Sequence, residues 1–525
     1  ARPPLLRRWL AVAARDPRDA VVKIFSARQR PGWTVPWQDQ PVESSTGSGA
    51  VVSTSLGGGA AARKMVLTAA HVIADTRYVQ VQRSTDRFSG EKFRARVAAV
   101  CHEVDLALLM VDEEDQAFAD VKPLEVASAR ELPVVFDKVR VVGYPVGGDA
   151  CSVTEGVVSR VEVQEYSHSL RAGLALTVDA AINSGNSGGP LVDAATARIV
   201  GVAFQKLVVR GVELQGHAVP APLIQRFLEE VGDLAPPAAA RPDGPAAPHR
   251  LRMPSLGCDY QSLEPPALRR SLRMGDRSGV LVSRLHHAGT SEGAPPLAVQ
   301  EGDVLLQFDG RALDDHGFCE LLGRRLHFAA ARDLRRVGVR VPMTVWRAGR
   351  ELCLEHTLQP AQHLVPRGQF DLRPRFFVCG GLVFQPLSHE YLQGWSANER
   401  PAHLQDLFLR GHLTPERTEA VMLSQILADA ANAGYDSGWI GAPIVCAVNG
   451  QAIRNLEHLV AVARAATAAS SSEEGFLVLD VATSNGPFRI VLPAGELKEA
   501  DERVCSIYGV PAACCSDHYL DADAK

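Results

Sequence analysis

The chain has 525 residues, a 46% hydrophobic content and a formal charge of −5, from 55 Lys and Arg against 60 Asp and Glu. That length calls for roughly three or four domains of about 150 residues, and the near-balanced charge, with a pI near 6.4, leaves neither a basic field for nucleic acid nor an acidic solvating tail. No apolar run reaches the ~18 residues of a membrane-spanning helix, and the ten cysteines, without a CxxC pair or a metal-like Cys/His spacing, read as free thiols in a reducing compartment.

In chain order, residues 1–15 are rich in Arg and Ala and lack acids, which fits either the end of a transit peptide or an arbitrary start. Residues 20–25 have strand character, and Trp33 and Trp37 follow in a polar loop. These aromatics, with Phe25, either pack on their own domain or anchor a subunit contact. Residues 46–52 read as a turn into a strand, and the glycines at 57–59 as a hairpin tip leading back through Met65-Val66-Leu67-Thr68 to His71. Short strands with Gly-rich turns recur to Phe204, a spacing that predicts β-barrels. Apolar residues at Leu223, Ile224, Phe227, Leu228 and Val231 then predict a helix over 219–231.

Chemistry concentrates in Asn183-Ser184-Gly185-Asn186-Ser187-Gly188-Gly189-Pro190. Its glycines allow a tight loop that turns Ser187 outward beside unpaired N–H groups. A serine hydroxyl needs a base and a group to orient that base. His71 in Thr68-Ala69-Ala70-His71-Val72 and Asp105 in Asp105-Leu106-Ala107-Leu108-Leu109 supply them, in the order His, Asp, Ser. Of the other histidines, His102 lies near the aspartate's strand start, and His168 and His217 are expected in polar loops as surface or structural residues. No phosphate-binding loop or cofactor motif is present, so no cofactor is expected.

These motifs, with Ser45-Thr46-Gly47-Ser48-Gly49, Val142-Gly143-Tyr144-Pro145 and the run from Ser152 to Arg160, resemble the Deg/HtrA serine proteases, and more narrowly the plant and algal Deg branch with two PDZ domains. The resemblance implies a mainly β protein, a chymotrypsin-like double β-barrel followed by two α+β PDZ domains. It implies His71 as base, Asp105 as orienter, Ser187 as nucleophile and the N–H groups of Gly185 and Ser187 as oxyanion hole. Val104 stands where relatives often carry Cys, a change of packing rather than chemistry. Ile182 with Val202, Ala203 and Phe204 is expected to line a pocket for a small or medium aliphatic side chain.

The expected divisions are an N-terminal segment at 1–19, the protease domain at 20–233, a Pro/Ala linker at 234–250, a first PDZ domain at 251–365, a second, more diverged one at 366–495 and a tail at 496–525. In the first PDZ domain Leu256-Gly257-Cys258 would receive a peptide carboxylate, and the peptide would add as a strand. In the second, Gly380-Gly381-Leu382-Val383-Phe384 forms the corresponding loop and strand. Arg375-Phe376-Phe377-Val378 is strand-prone and joined by a short connection, so it is expected to fill the first groove at high effective concentration. Cys514-Cys515 in the tail reads as a thiol pair or a strained disulfide.

The expected function is ATP-independent endoproteolysis of unfolded or damaged proteins in quality control, by a homo-trimer or hexamer that recruits substrates and C-terminal peptides through its PDZ domains. The alternative is a latent or inactive protease acting as a chaperone-like binding assembly; a pure PDZ scaffold leaves the three catalytic motifs unexplained. The expected compartment is the chloroplast, with nucleus or mitochondrion as alternatives.

Overall fold

A computed structural model describes residues 16–511 apart from 59–60, 84–89, 131, 207–214, 235–246, 287–296, 397, 437, 439–440 and 470–474. The Cys514-Cys515 pair and most of the Pro/Ala linker therefore lie outside the described residues. These residues fall into two compact units, one within Ala1–Arg28, Val42–Ser283 and Ala298–Ala361, the other within Gln29–Pro41, Arg284–Leu297 and Gln362–Lys525.

The first unit opens with six strands, β1 (Val21–Arg28), β2 (Glu43–Thr54), β3 (Arg63–Thr68), β4 (Thr76–Gln82), β5 (Lys92–Cys101) and β6 (Leu106–Val111). They pair in the order β5-β4-β1-β2-β3-β6, and β5 also pairs with β6, which closes the sheet on itself. Six more strands, β7 (Lys138–Gly143), β8 (Ser152–Tyr166), β9 (Arg171–Val178), β10 (Pro190–Asp193), β11 (Ile199–Lys206) and β12 (Gly216–Pro220), form a second closed barrel in the order β10-β11-β12-β9-β8-β7. Closure removes the open edges that would otherwise pair with other chains.

The expected helix follows at Ala221–Asp233, with Pro222 in its first turn, where a missing N–H costs nothing. Leu223, Ile224, Phe227 and Val231 are buried, and each such side chain contributes about 1.5–3 kcal/mol.

The rest of the first unit is a sheet whose strands run Cys258–Ser262, Val280–Leu285, Val304–Phe308, Arg340–Arg347 and Arg350–Thr357 in that spatial order, so that Cys258–Ser262 lies at an edge. A hairpin of Phe318–Leu321 and Arg324–His327 leads into a short helix, Phe328–Asp333.

In the second unit, strands Phe377–Cys379, Leu382–Pro386, Val421–Ile426, Ile444–Val448, Phe476–Thr483 and Gly486–Pro493 form one sheet, with helix Leu456–Ala469 against its apolar face. Trp33 and Trp37 belong to this unit. Trp33 packs with Leu364, Leu387 and Tyr391, and its carbonyl accepts from Gln385 Nε2 at 3.0 Å. The Trp37 ring lies 5.9 Å from that of Phe376. Both indoles are thus used within the chain.

The expectation for Arg375–Val378 is corrected. Phe377–Cys379 pairs with Leu382–Pro386 across the two-residue turn Gly380-Gly381, whose φ values of +58° and +76° suit glycine. Phe376, Phe377 and Val378 are buried in two cores of the same unit, and Arg375 pairs with Glu419 and Glu457. The segment is committed to its own sheet and is not free to fill another groove.

That turn also receives a carboxylate. Asp501, on helix Leu497–Tyr508, accepts the Gly381 N–H at 3.3 Å. Burial pushes its carboxyl up to about 7, against the opposing pull of the Gly381 and Gly380 N–H groups. A carboxyl raised in the folded state favours folding while it holds its proton, so stability falls as pH rises from about 4 to about 7. Asp501→Asn should flatten that dependence and, at pH 8, hold the second unit more stable than the parent by an amount on the order of a few kcal/mol. Thermal unfolding of both proteins at pH 5 and pH 8 measures it; parallel curves would refute the buried-carboxyl account.

Candidate active site

Helix Ala70–Ile73 follows β3 and carries His71 at the rim of the first barrel. Asp105 ends the turn His102–Val104 before β6 in the left-handed conformation, φ +54°, which a short polar side chain tolerates better than most. It is 1% exposed. One carboxylate oxygen accepts the His71 backbone N–H at 2.8 Å, and the other lies 2.7 Å from His71 Nδ1. Burial opposes its ionisation, but the charges of His71 and His168 and the two bonds from His71 outweigh burial and hold the carboxyl below its ordinary range. An ionised aspartate at this distance accepts the proton of Nδ1, which leaves Nε2 as the ring's lone-pair nitrogen.

The Asn183–Pro190 stretch packs tightly at its glycines. A Cβ at Gly185 (φ +96°) would stand 2.3 Å from the Tyr144 carbonyl oxygen, and one at Gly188 (φ +80°) 2.2 Å from Thr68 Oγ1 and 2.9 Å from the Ala69 nitrogen. The Ser187 loop thus lies against the residues that lead into His71. Gly188 N–H donates to the Ala203 carbonyl at 2.7 Å and Ala203 N–H returns a bond to the Gly189 carbonyl at 3.0 Å. Among the described residues, the N–H groups of Gly185 and Ser187 pair with no backbone carbonyl. Ser187 itself is half-buried.

Ser48 was not legible as a site residue. It is fully buried in β2, donates from Oγ to the Gly185 carbonyl at 2.6 Å and accepts the Tyr144 N–H at 2.8 Å. Its own N–H bonds the Ser187 carbonyl at 2.9 Å, and its carbonyl accepts from Thr68 Oγ1 at 2.7 Å. The only sequence signal was a small hydroxyl between two glycines on an apolar strand.

Of the expected pocket residues, Ile182 and Ala203 share an apolar cluster with Leu176, Val178 and Ala218. Phe204 stacks on Tyr166 with ring centroids 4.4 Å apart, and Val202 is fully buried. His217 corrects an expectation: it lies in β12, fully buried, with Nδ1 3.2 Å from Thr177 Oγ1, and burial pushes its pKa down. His168, in the β8–β9 turn, is half-buried with Nε2 2.9 Å from His102 Nδ1.

Glu103 ties the aspartate's turn to the segment that leaves the barrels. It pairs with Arg252 at 2.6 Å, accepts the Met253 N–H at 3.1 Å and faces Arg171 of β9 at 3.7 Å. Arg171 in turn bonds the fully buried Asp333 at 2.6 Å and the Pro254 carbonyl at 2.8 Å. Nearby, Leu256 is buried, Gly257 is left-handed at φ +68° with its N–H on Ser255 Oγ at 3.1 Å, and burial pushes the Cys258 thiol up to about 12. Tyr260, on the same edge strand, packs on His327 and Phe328 with centroids 5.6 and 5.0 Å away.

Two closed barrels with a paired histidine and aspartate beside a glycine-walled serine loop define a trypsin-like serine peptidase. Residues 47–202 match the trypsin-like peptidase domain family and residues 365–517 the PDZ domain family. The chain is 30% identical over 497 residues to the mitochondrial protease Do-like 4 of Arabidopsis thaliana, covering 94% of this chain and 84% of that protein. It is 33% identical over 449 residues to the chloroplastic protease Do-like 2 of the same plant, covering 84% and 67%. The chain belongs to the Do-like, or Deg/HtrA, serine protease family. Among solved structures it is similar to the HtrA-type protease AlgW with decapeptide, at 21% identity and a TM-score of 0.45, covering 66% of this chain and 96% of that one.

Ser48→Ala removes the partner of a buried carbonyl and a buried N–H, each costing about 1–3 kcal/mol when left unmet. Turnover should fall by about tenfold or more with KM nearly unchanged, the result expected of a loop whose N–H groups serve as an oxyanion hole, since such donors act on charge that develops only in the transition state. Steady-state kinetics on a fluorogenic peptide decide it; unchanged turnover would show that the loop holds its shape without Ser48.

Proposed function

We propose that this serine protease is an ATP-independent endopeptidase for unfolded or damaged proteins, with His71 as general base, Asp105 as orienter and Ser187 as nucleophile. The observation that carries the reading is the 2.7 Å bond between His71 Nδ1 and Asp105, set beside a loop whose Ser187 is flanked by two positive-φ glycines. Ser187 Oγ attacks the scissile carbonyl as His71 takes its proton, and the N–H groups of Gly185 and Ser187 hold the oxyanion. His71 then protonates the leaving amine, and water repeats the sequence on the acyl-enzyme. Ile182, Val202, Ala203 and Phe204 set a preference for a small or medium aliphatic residue before the cut.

In this reading residues 20–233 are the protease domain, 251–365 a first PDZ domain and 366–495 a second. A client's C-terminus adds to the edge strand Cys258–Ser262, with its carboxylate at Leu256-Gly257-Cys258. Assembly is as a homo-trimer or hexamer, and the compartment is an organelle: the two Do-like relatives are described as mitochondrial and chloroplastic, and the sequence favours the chloroplast. A second reading, a latent enzyme, is favoured by the Gly257 N–H being taken by Ser255 Oγ, which occupies one donor of the carboxylate loop at rest.

Ser187→Ala should abolish cleavage of a permanently unfolded protein while sedimentation stays that of the parent; retained cleavage would remove the nucleophile assignment. Gly257→Val, strained at positive φ, should weaken binding of C-terminal peptides to the Ser187→Ala protein by about tenfold. Fluorescence anisotropy reads this, and equal affinities would place the peptide elsewhere.

A further inference from the structure

His102 and His168 stand 66 positions apart in sequence, and the barrels bring them together beside the triad. His102 sits in the turn between β5 and β6 that ends in Asp105, and His168 in the β8–β9 turn. Their facing nitrogens, Nδ1 and Nε2, are 2.9 Å apart, and the ring centroids 5.2 Å. Such a contact needs one nitrogen to bring a proton and the other a lone pair. We propose that a divalent transition-metal ion such as Zn2+ takes the place of that proton, binding between His102 and His168 and inhibiting the peptidase.

Nitrogens on a tetrahedral zinc ion, each at 2.0–2.1 Å, are roughly 3.3 Å apart, so the pair must open by about half an ångström and both rings must turn until their lone pairs meet at the ion. The two turns are already tied to each other, because Ser169 Oγ donates to the Glu103 carbonyl at 3.0 Å. Both rings are half-buried, so water reaches the site. Among the described residues no third His, Cys or carboxylate joins them within 4.8 Å. The remaining positions fall to water, and the site suits an exchangeable regulatory ion rather than a structural one. The His168 ring centroid is 6.2 Å from that of His71. A doubly charged ion there opposes the imidazolium that His71 must become in each proton transfer.

Inhibition rests on the peptidase reading, whereas binding does not, so the two are measured separately. Titration calorimetry with ZnCl2 on full-length Ser187→Ala should show one more micromolar ion than on the same protein carrying His102→Gln and His168→Gln. Equal stoichiometry would overturn the site. In the active chain, about 100 µM Zn2+ should reduce cleavage about tenfold, and less than twofold once both histidines are replaced. Binding without that difference refutes inhibition at this site, and absence of cleavage in the metal-free protein refutes the peptidase reading while the stoichiometry still judges the site. His168→Asn alone, in a turn, gives the same comparison if the double variant does not fold.

Discussion

Ser48 Oγ takes the Tyr144 N–H at 2.8 Å and gives its own proton to the Gly185 carbonyl at 2.6 Å, from a strand of the first barrel to two segments of the second. Neither barrel alone holds a complete site. In the proposed mechanism the first contributes His71 and Asp105 and the second the loop that bears Ser187, and catalysis needs their relative placement to within a fraction of an ångström. A hydroxyl suits this bridge because it accepts and donates at once. The glycines at 185 and 188 let the loop come close enough to be held, since a Cβ at either would overlap backbone or the Thr68 hydroxyl.

The histidine, aspartate and serine motifs proposed as catalytic could be picked out because each is a short, local pattern whose chemistry demands particular residue types. The barrels were legible from strand spacing, and the helix at Ala221–Asp233 from its apolar period. Periodicity tells which face a residue presents but not what meets it, and the failures fall along that line. Ser48 reads as part of a turn until Gly185 and Tyr144 arrive beside it. His217 is a polar residue expected in a loop, yet β12 carries it into the interior. Trp33 and Trp37 announced a need for burial without naming the surface, which is the C-terminal unit's own. Arg375–Val378 looked like a free strand although Gly380-Gly381, two glycines between two apolar runs, is a hairpin signal that folds it back on Leu382–Pro386.

Among the described residues, the fully buried carboxylates Asp105 and Asp333 are each held in company. Asp105 is answered by His71, and Asp333 by Arg171 and Arg332. Such pairs owe their worth to mutual neutralisation, since desolvating either ion alone costs several kcal/mol. Asp501 takes the other course open to a buried acid and raises its proton affinity instead.

The Arg171–Asp333 pair makes the β8–β9 turn sensitive to injury in an unexpected order. Cutting away the whole sheet domain hands Arg171 to water, and hydration replaces the lost carboxylate at little cost. Losing only that carboxylate keeps the guanidinium in the dry and leaves it the Pro254 carbonyl and the more distant Glu103 alone. For the turn that carries His168, a missing domain is the lighter wound and a single missing side chain the heavier.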